Sequence, residues 1–408
     1  MNTGGADNAP IAALRRMPRN VWATGLTSFF MDISSEMVIN ILPLFLSNVL
    51  GATADIIGQI EGIAEATASL LKVFSGWLSD KLRARKWMAV AGYALSALSK
   101  PFFYFANSLA VAGARWADRA GKGIRTAPRD ALIADTIREE QRGLAFGLQR
   151  ALDTAGAMVG LLIALGVVWF TQAGNVALGA DTFRTIVLIS LAPAALAVLT
   201  LIVGARDVPA IKQRAAPRFA FRSLGRPFMV FVLIVGIFDL GNSSDAFLIL
   251  RAQDRGINVI GILAMLAVFN LVYALVSMPA GSLSDRVGRR QLIVGGWLVY
   301  AAIYLGFGFA QEAWHVWVLY VVYGLYYGLA HGTAKAMIAD LVPEASRGTA
   351  YGTYYAVLGV LDYPASAIAG LLWTNIGVPA PFMFGGALAL IAAFLMAFWM
   401  PRALSRPT

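Results

Sequence analysis

The chain has 408 residues, a mean hydropathy of +0.67, 58% hydrophobic and 14% charged side chains, more apolar surface than one soluble core could hide. There is no cysteine, which excludes disulfides and thiolate metal sites. The net charge of +10 raises nucleic acid as a partner, and the placement of the 33 Lys and Arg argues against it.

In chain order, residues 1–20 lack the charged start, apolar stretch and cleavage site of a secretory signal, and predict a cytoplasmic tail. Apolar runs long enough to cross a bilayer as helices follow at 21–48, 56–79, 87–107, 109–134, 143–170 and 183–204, which together predict an N-terminal six-helix bundle over 21–204. Residues 205–226 form a basic linker holding Arg206, Lys212, Arg214, Arg218, Arg222 and Arg226 against Asp207. It reads either as a clamp on anionic lipid headgroups or as a solvated loop. Six more runs, at 227–250, 257–281, 291–310, 314–341, 347–374 and 380–400, predict a C-terminal bundle over 227–400, and 401–408 a second cytoplasmic tail. With both termini inside, the inner tails and loops carry 21 Lys and Arg and the outer loops only 3, the bias expected of an inner membrane protein.

The spans themselves are charged. Asp32, Glu36 and Asn40 share one face of span 1, and Glu61 and Glu65 repeat the four-residue spacing in span 2. Span 4 holds Arg115, Asp118, Arg119, Lys122, Arg125, Arg129 and Asp130 on one face, and span 5 holds Arg150 and Asp153. Ionised groups at membrane depth are costly and are expected to face the bundle interior or a water-filled cavity. Arg115, Asp118, Arg119, Lys122 and Arg150 are therefore candidate solute-binding residues. Asp32, Glu36, Glu65 and Asp153 are candidate proton carriers, because a carboxylate that loses its cationic partner in a dry setting takes up a proton. Structural ion pairing is the rival reading for each. The second half has fewer charges, Asp239, Asp245, Lys335 and Asp362, and more rings: Tyr323, Tyr327, His331 and Lys335 follow at four-residue steps, then Tyr351, Tyr354 and Tyr355. Tyr327 and Tyr355 are candidates to stack on a solute.

The sequence also repeats itself. GWLSD at 76–80 returns as GSLSD at 281–285, an offset of 205 that also relates Ile133, Ala134 and Asp135 to Ile338, Ala339 and Asp340, and Arg142 and Gly143 to Arg347 and Gly348. A fixed offset held over some seventy residues predicts an all-α membrane protein of twelve transmembrane helices in two pseudosymmetric six-helix bundles.

At these residues the chain resembles the major facilitator superfamily over nearly its whole length. Gly76, Asp80 and Arg85 look like that family's loop between helices 2 and 3, and Gly281, Asp285 and Arg289 like its copy between helices 8 and 9; the resemblance implies gating roles. The first copy departs from the pattern at Arg83 and Ala84. RWADRAGKG at 115–123 resembles the family's helix 4 motif, with more charge than is usual there. GAMVGL at 156–161 keeps Gly156 and Gly160 but has Ala157 and Leu161 where exporters of the superfamily show Pro and Gly, so the direction of transport stays open.

The resemblance and the charges together imply a proton-coupled secondary transporter of a small anionic or zwitterionic organic solute, working by rocker-switch alternating access. A cation or multidrug exporter using the acids of spans 1 and 2 is the alternative, and a metal-cation transporter a remote one. No HExxH or GxSxG is present, and AGKG at 120–123 lacks the flanking residues of a phosphate loop, which argues against an enzyme. No cofactor and no bound metal are expected; the partners are the solute and membrane lipids, the protein a monomer in a prokaryotic cytoplasmic membrane.

Overall fold

The computed structural model describes residues 17–82, 84–105, 107–138, 141–172, 174–208, 224–330, 333–343 and 346–399, with side chains except at 80, 108, 277–287, 328–330, 333, 335, 336, 339 and 348. Every regular element among them is helical. They form twelve rods: span 1 (Arg19–Ile39, Leu42–Asn48), span 2 (Ala54–Leu82), span 3 (Arg85–Ser99, then a 3-10 turn Lys100–Tyr104) and span 4 (Ser108–Thr136). Span 5 (Arg142–Gln172), span 6 (Ala180–Gly204), span 7 (Arg226–Leu240, Ala246–Asp254) and span 8 (Val259–Val287) follow. The last are span 9 (Arg289–Phe309), span 10 (Ala313–Ala330, Thr333–Leu341), span 11 (Arg347–Asn375) and span 12 (Ala380–Phe398). Most of the linker, 209–223, and most of both tails lie outside the described residues.

Seven of the rods are long and apolar enough to cross a membrane by length and composition. Among the described residues, spans 2 and 4 carry more charge than this allows, and the helices of spans 3 and 7 are shorter. The repeat is visible in the helix bounds. Spans 2 and 8 begin and end 205 residues apart, and spans 4 and 10 share their outer limits at that offset.

The interruptions depart from the continuous runs expected at 21–48, 87–107 and 227–250, and each has a local cause. In span 1 the helix stops at Ile39 and restarts at Leu42 with Pro43 in its first turn, where a missing N–H is tolerated. In span 3, Pro101 sits in the first turn of the 3-10 segment. In span 7 the residues between the two helices are GNSSD, 241–245, whose Asn, Ser and Asp side chains compete for backbone hydrogen bonds. Asn40 and Asp245, at the two breaks, are again 205 residues apart.

Within the first half, span 1 packs on spans 5 and 6, and span 4 lies between spans 2 and 3; in the second, span 9 packs on span 12 and span 8 on span 10. The halves meet along two seams, span 2 with span 11 and span 5 with span 8. The first seam is closest at the end of the bundle away from the start of span 1, here the distal end. A Cβ on Gly58 would fall 2.4 Å from the Ser366 carbonyl oxygen, and one on Gly370 2.6 Å from that of Ala54. Only glycine permits backbones this close. Asp55 and Thr374 add a hydrogen bond across it, from the Thr374 hydroxyl to Asp55 Oδ1 at 3.2 Å.

Candidate functional site

Where the breaks of spans 1 and 7 face each other, a cavity of about 400 Å³ opens between the halves. Span 1 lines it with Glu36, Asn40 and Pro43, span 2 with Glu61 and Glu65, and span 4 with Arg115, Arg119 and Lys122. The opposite wall is Asn242, Ser243, Ser244 and Asp245 of the span 7 break, Phe269 of span 8, Tyr320 and Tyr327 of span 10, and Asp362 and Ser366 of span 11. Polar residues inside a lipid-embedded bundle are tolerated where they meet such a void.

The first wall is built on the charged face of span 4. Arg115 is buried and grips Glu61 through both carboxylate oxygens, Nε to Oε1 at 3.0 Å and an Nη to Oε2 at 2.5 Å. The same nitrogen reaches Glu65 Oε1 at 3.4 Å, and Arg119 closes on that oxygen at 2.6 Å. Two arginines and two glutamates thus neutralise one another. Lys122, one turn along from Arg119, is exposed to the cavity and has no ion pair within 4 Å among the described residues. Trp116, on the other side of the helix, is exposed and donates to the Thr67 hydroxyl at 2.6 Å.

The acids left over are held by neutral donors. Asn40 donates to Glu36 Oε2 at 2.7 Å, the Tyr323 hydroxyl to Asp245 Oδ1 at 2.9 Å, and the Ser69 hydroxyl to Asp362 Oδ2 at 2.8 Å. The last bond joins spans 2 and 11, and so the two halves. Glu36, Asp245 and Asp362 therefore confront Lys122 across one space, each able to accept a further donor.

The structure brings together most of the predicted site. Arg115, Arg119, Lys122, Tyr327, Glu36 and Glu65 line the cavity. Asp118 is buried behind the wall, its carboxylate 4.0 Å from Arg115. Arg150 lies elsewhere, donating to the Tyr273 hydroxyl across the seam of spans 5 and 8, with its guanidinium 5.4 Å from that ring's centre. Tyr355 lines a second, neighbouring cavity and stacks on Lys72, 4.9 Å from ammonium to ring centre. Asp32 is half-buried and lines neither cavity, and Asp153 accepts from the Gln149 amide at 2.8 Å. Composition singled out Asp245 and Asp362 as intramembrane charges without giving them a role; the sequence signal that places Asp245 is the run GNSSD at the repeat partner of Asn40.

Among the gating candidates, Gly76 is buried, and the side chains of Asp80, Gly281 and Asp285 lie outside the described residues, as does His331. Arg85 pairs with Asp135 and donates to the Ala131 carbonyl at 3.2 Å; Arg289 pairs with Asp340 at 2.7 Å. Asp135 and Asp340 are repeat partners, so each half ties the start of its third span to the end of its fourth. Both pairs lie inside a half and not across a seam.

The Major Facilitator Superfamily profile matches residues 24–249 and 230–408. An uncharacterized MFS-type transporter of Methanocaldococcus jannaschii is 36% identical over 398 residues, covering 94% of this chain and 96% of its own. The multidrug resistance protein MdtG of Yersinia enterocolitica is 32% identical over 183 residues, 42% of this chain and 43% of that protein. Among solved structures, a POT family transporter in complex with 5-aminolevulinic acid superposes with a TM-score of 0.78 at 11% identity, over 95% of this chain and 97% of that one.

Proposed function

Because the chain belongs to the Major Facilitator Superfamily, we propose that it is a secondary active transporter that moves a small zwitterionic solute with protons by alternating access. The observation that carries this is the cavity's opposed charges: one uncommitted ammonium, Lys122, on the wall of the first half, and Asp245 and Asp362 on the wall of the second. A solute with an anionic group on Lys122 and an ammonium on the two aspartates bridges the halves. Its binding strengthens as the walls close, which is how a ligand biases a two-state equilibrium. A cavity of this size suits a solute of a few to some twenty heavy atoms.

Among the described residues the acids outnumber the bases on the lining, Glu36, Asp245 and Asp362 against Lys122, once the two arginines are matched to Glu61 and Glu65. Such an excess is a store for protons. Asp362 is best placed as the coupling group, since its bond to Ser69 spans the halves. The gating groups Gly76, Asp80, Arg85, Gly281, Asp285 and Arg289 would move with the proximal ends. In this reading the distal seam faces outward, the termini and the basic loops lie in the cytoplasm of a prokaryotic cell, anionic lipid headgroups meet that face, and the protein works as a monomer.

A cation exporter is the second reading, favoured by the same acidic excess and by the partial likeness to a multidrug resistance protein. Proteoliposomes with an imposed pH gradient, loaded in turn with zwitterionic, anionic and cationic solutes while lumen pH is followed, separate the readings. Flux of zwitterions with a matching proton movement is expected. Flux of cations alone, or flux without proton movement, overturns the proposal.

A further inference from the structure

Beside the central cavity lies a second chamber of about 340 Å³ with a different chemistry. It shares Asn242 and Tyr327 with the first, and extends from them toward the proximal end, among Lys72, Ile293, Trp297, Ala334 and Leu358. Its walls are rings: Phe238, Trp297, Tyr326, Tyr327, Tyr354 and Tyr355. Phe238 and Trp297 stack with centres 4.8 Å apart, Tyr326 and Tyr327 meet edge to face at 6.0 Å, and Tyr354 and Tyr355 at 5.4 Å. The chamber therefore presents π faces and hydroxyl groups at several angles.

Among the described residues one acid, Asp239, stands on this lining, at the end of the first helix of span 7. Its Oδ2 is buried and has no hydrogen-bond partner among the described residues. No basic side chain lies within 4 Å of it in an ion pair among them either. The described base on the same lining, Lys72, has its ammonium directed at the Tyr355 ring. A carboxylate without a donor among aromatic rings is costly by itself, and a cation resolves that cost twice, through the carboxylate and through the ring faces.

We propose that this chamber is a second binding site, separate from the zwitterion site, for an organic ammonium with an aromatic or methylated body. Asp239 takes the charge, and Trp297, Tyr326 and Tyr354 take the body. An occupant there also sits against Asn242 and Tyr327, and so stands in the path between the central cavity and the proximal end.

The test uses the full-length protein in lipid nanodiscs and radiolabelled benzyltrimethylammonium, a permanent cation with no proton chemistry of its own. Wild type is expected to bind it saturably, with phenylacetate failing to compete. Asp239→Asn and Trp297→Leu are each expected to weaken binding at least tenfold, while Asp239→Glu keeps most of it. Lys122→Gln is expected to raise the KM for zwitterion flux more than tenfold and leave binding of the cation unchanged, which separates failure of this site from failure of the transport reading. Unaltered binding in Asp239→Asn, equal binding of phenylacetate, or loss of the cation in Lys122→Gln overturns the proposal. Thermal unfolding of each variant is followed alongside, and should Asp239→Asn not fold, Trp297→Leu and Tyr354→Leu carry the same comparison.

Discussion

Arg115 and Glu61 are joined at both carboxylate oxygens, with side chains only 2% and 4% exposed, in the middle of a bundle built for lipid. Removing one partner leaves the other as an unpaired buried charge, at a cost of about 3 kcal/mol or more. Glu61→Gln is expected to lower the thermal unfolding temperature of the purified protein by several degrees. The paired change Arg115→Gln with Glu61→Gln is expected to recover most of that loss while transport stays abolished. Equal destabilisation by the single and the double variant would show that the pair is not the unit.

Lys122 offers the opposite case. With no ion pair to break, Lys122→Gln should leave unfolding within about 0.5 kcal/mol of wild type. Its transport effect should be large: loss of one charge-assisted hydrogen bond is worth about 1.5–3 kcal/mol, or more than tenfold in KM for a zwitterionic solute. Concentration dependence of uptake in vesicles measures both KM and kcat, and a KM that does not move removes Lys122 from the site.

The proposed coupling role falls to Asp362, which bonds across the halves, and not to Asp32, which makes no hydrogen bond or ion pair among the described residues. Asp362→Asn keeps a group that can bond Ser69 but cannot release a proton. The expected outcome is solute exchange without accumulation against a gradient. Asp32→Asn is expected to retain accumulation. Reversal of the two phenotypes would move the coupling site into span 1.

The distal seam can be tested by steric means, because the chain contains no cysteine and a single introduced thiol labels without background. Ile57 is buried at that seam. In an Ile57→Cys protein, adding Gly58→Val should force spans 2 and 11 apart and raise the rate of reaction with a membrane-impermeant maleimide at least tenfold. An unchanged rate would mean the backbones do not approach as closely as the 2.4 Å clearance implies.

Arg251 carries a different kind of charge. It is buried at the distal end of span 7 and donates to the carbonyls of Phe307 at 3.0 Å and Ala310 at 2.7 Å, where span 9 ends, and to Asp254 at 2.6 Å. Arg251→Met leaves these acceptors unmet and should cost about 3 kcal/mol in unfolding without changing the KM of what folds. A shift in KM would give this residue a part in the transport cycle.

Much of this architecture is legible in the sequence itself. Hydropathy and the 205-residue offset gave the number of spans and their two-fold relation, because lipid forces each crossing to be an apolar helix and a duplicated chain keeps its spacing. Helical periodicity placed Arg115, Arg119 and Lys122 on the cavity wall. It could not tell which acid each base would choose. The pairing of Arg115 with Glu61, and of Arg119 with Glu65, depends on how far span 2 slides along span 4. The same limit applies to Arg150, which has the right depth but turns to Tyr273 on span 8. The interruption at 241–245 was hidden because hydropathy averages over a window longer than the five residues that matter.

The twin interruptions have a mechanical consequence. Leu42–Asn48 and Ala246–Asp254 are short rods that lean on each other at the distal end, each joined to its longer partner by residues outside the regular helices that keep only a few turn-type main-chain bonds. Tilting such a tip disturbs only the few turn bonds at its joint, whereas flexing an unbroken helix would forfeit part of a continuous ladder, at roughly 1 kcal/mol per bond. In the proposed cycle the distal tips would swing before the long rods reorient, making unsealing and whole-lobe rotation separable events with separate rates.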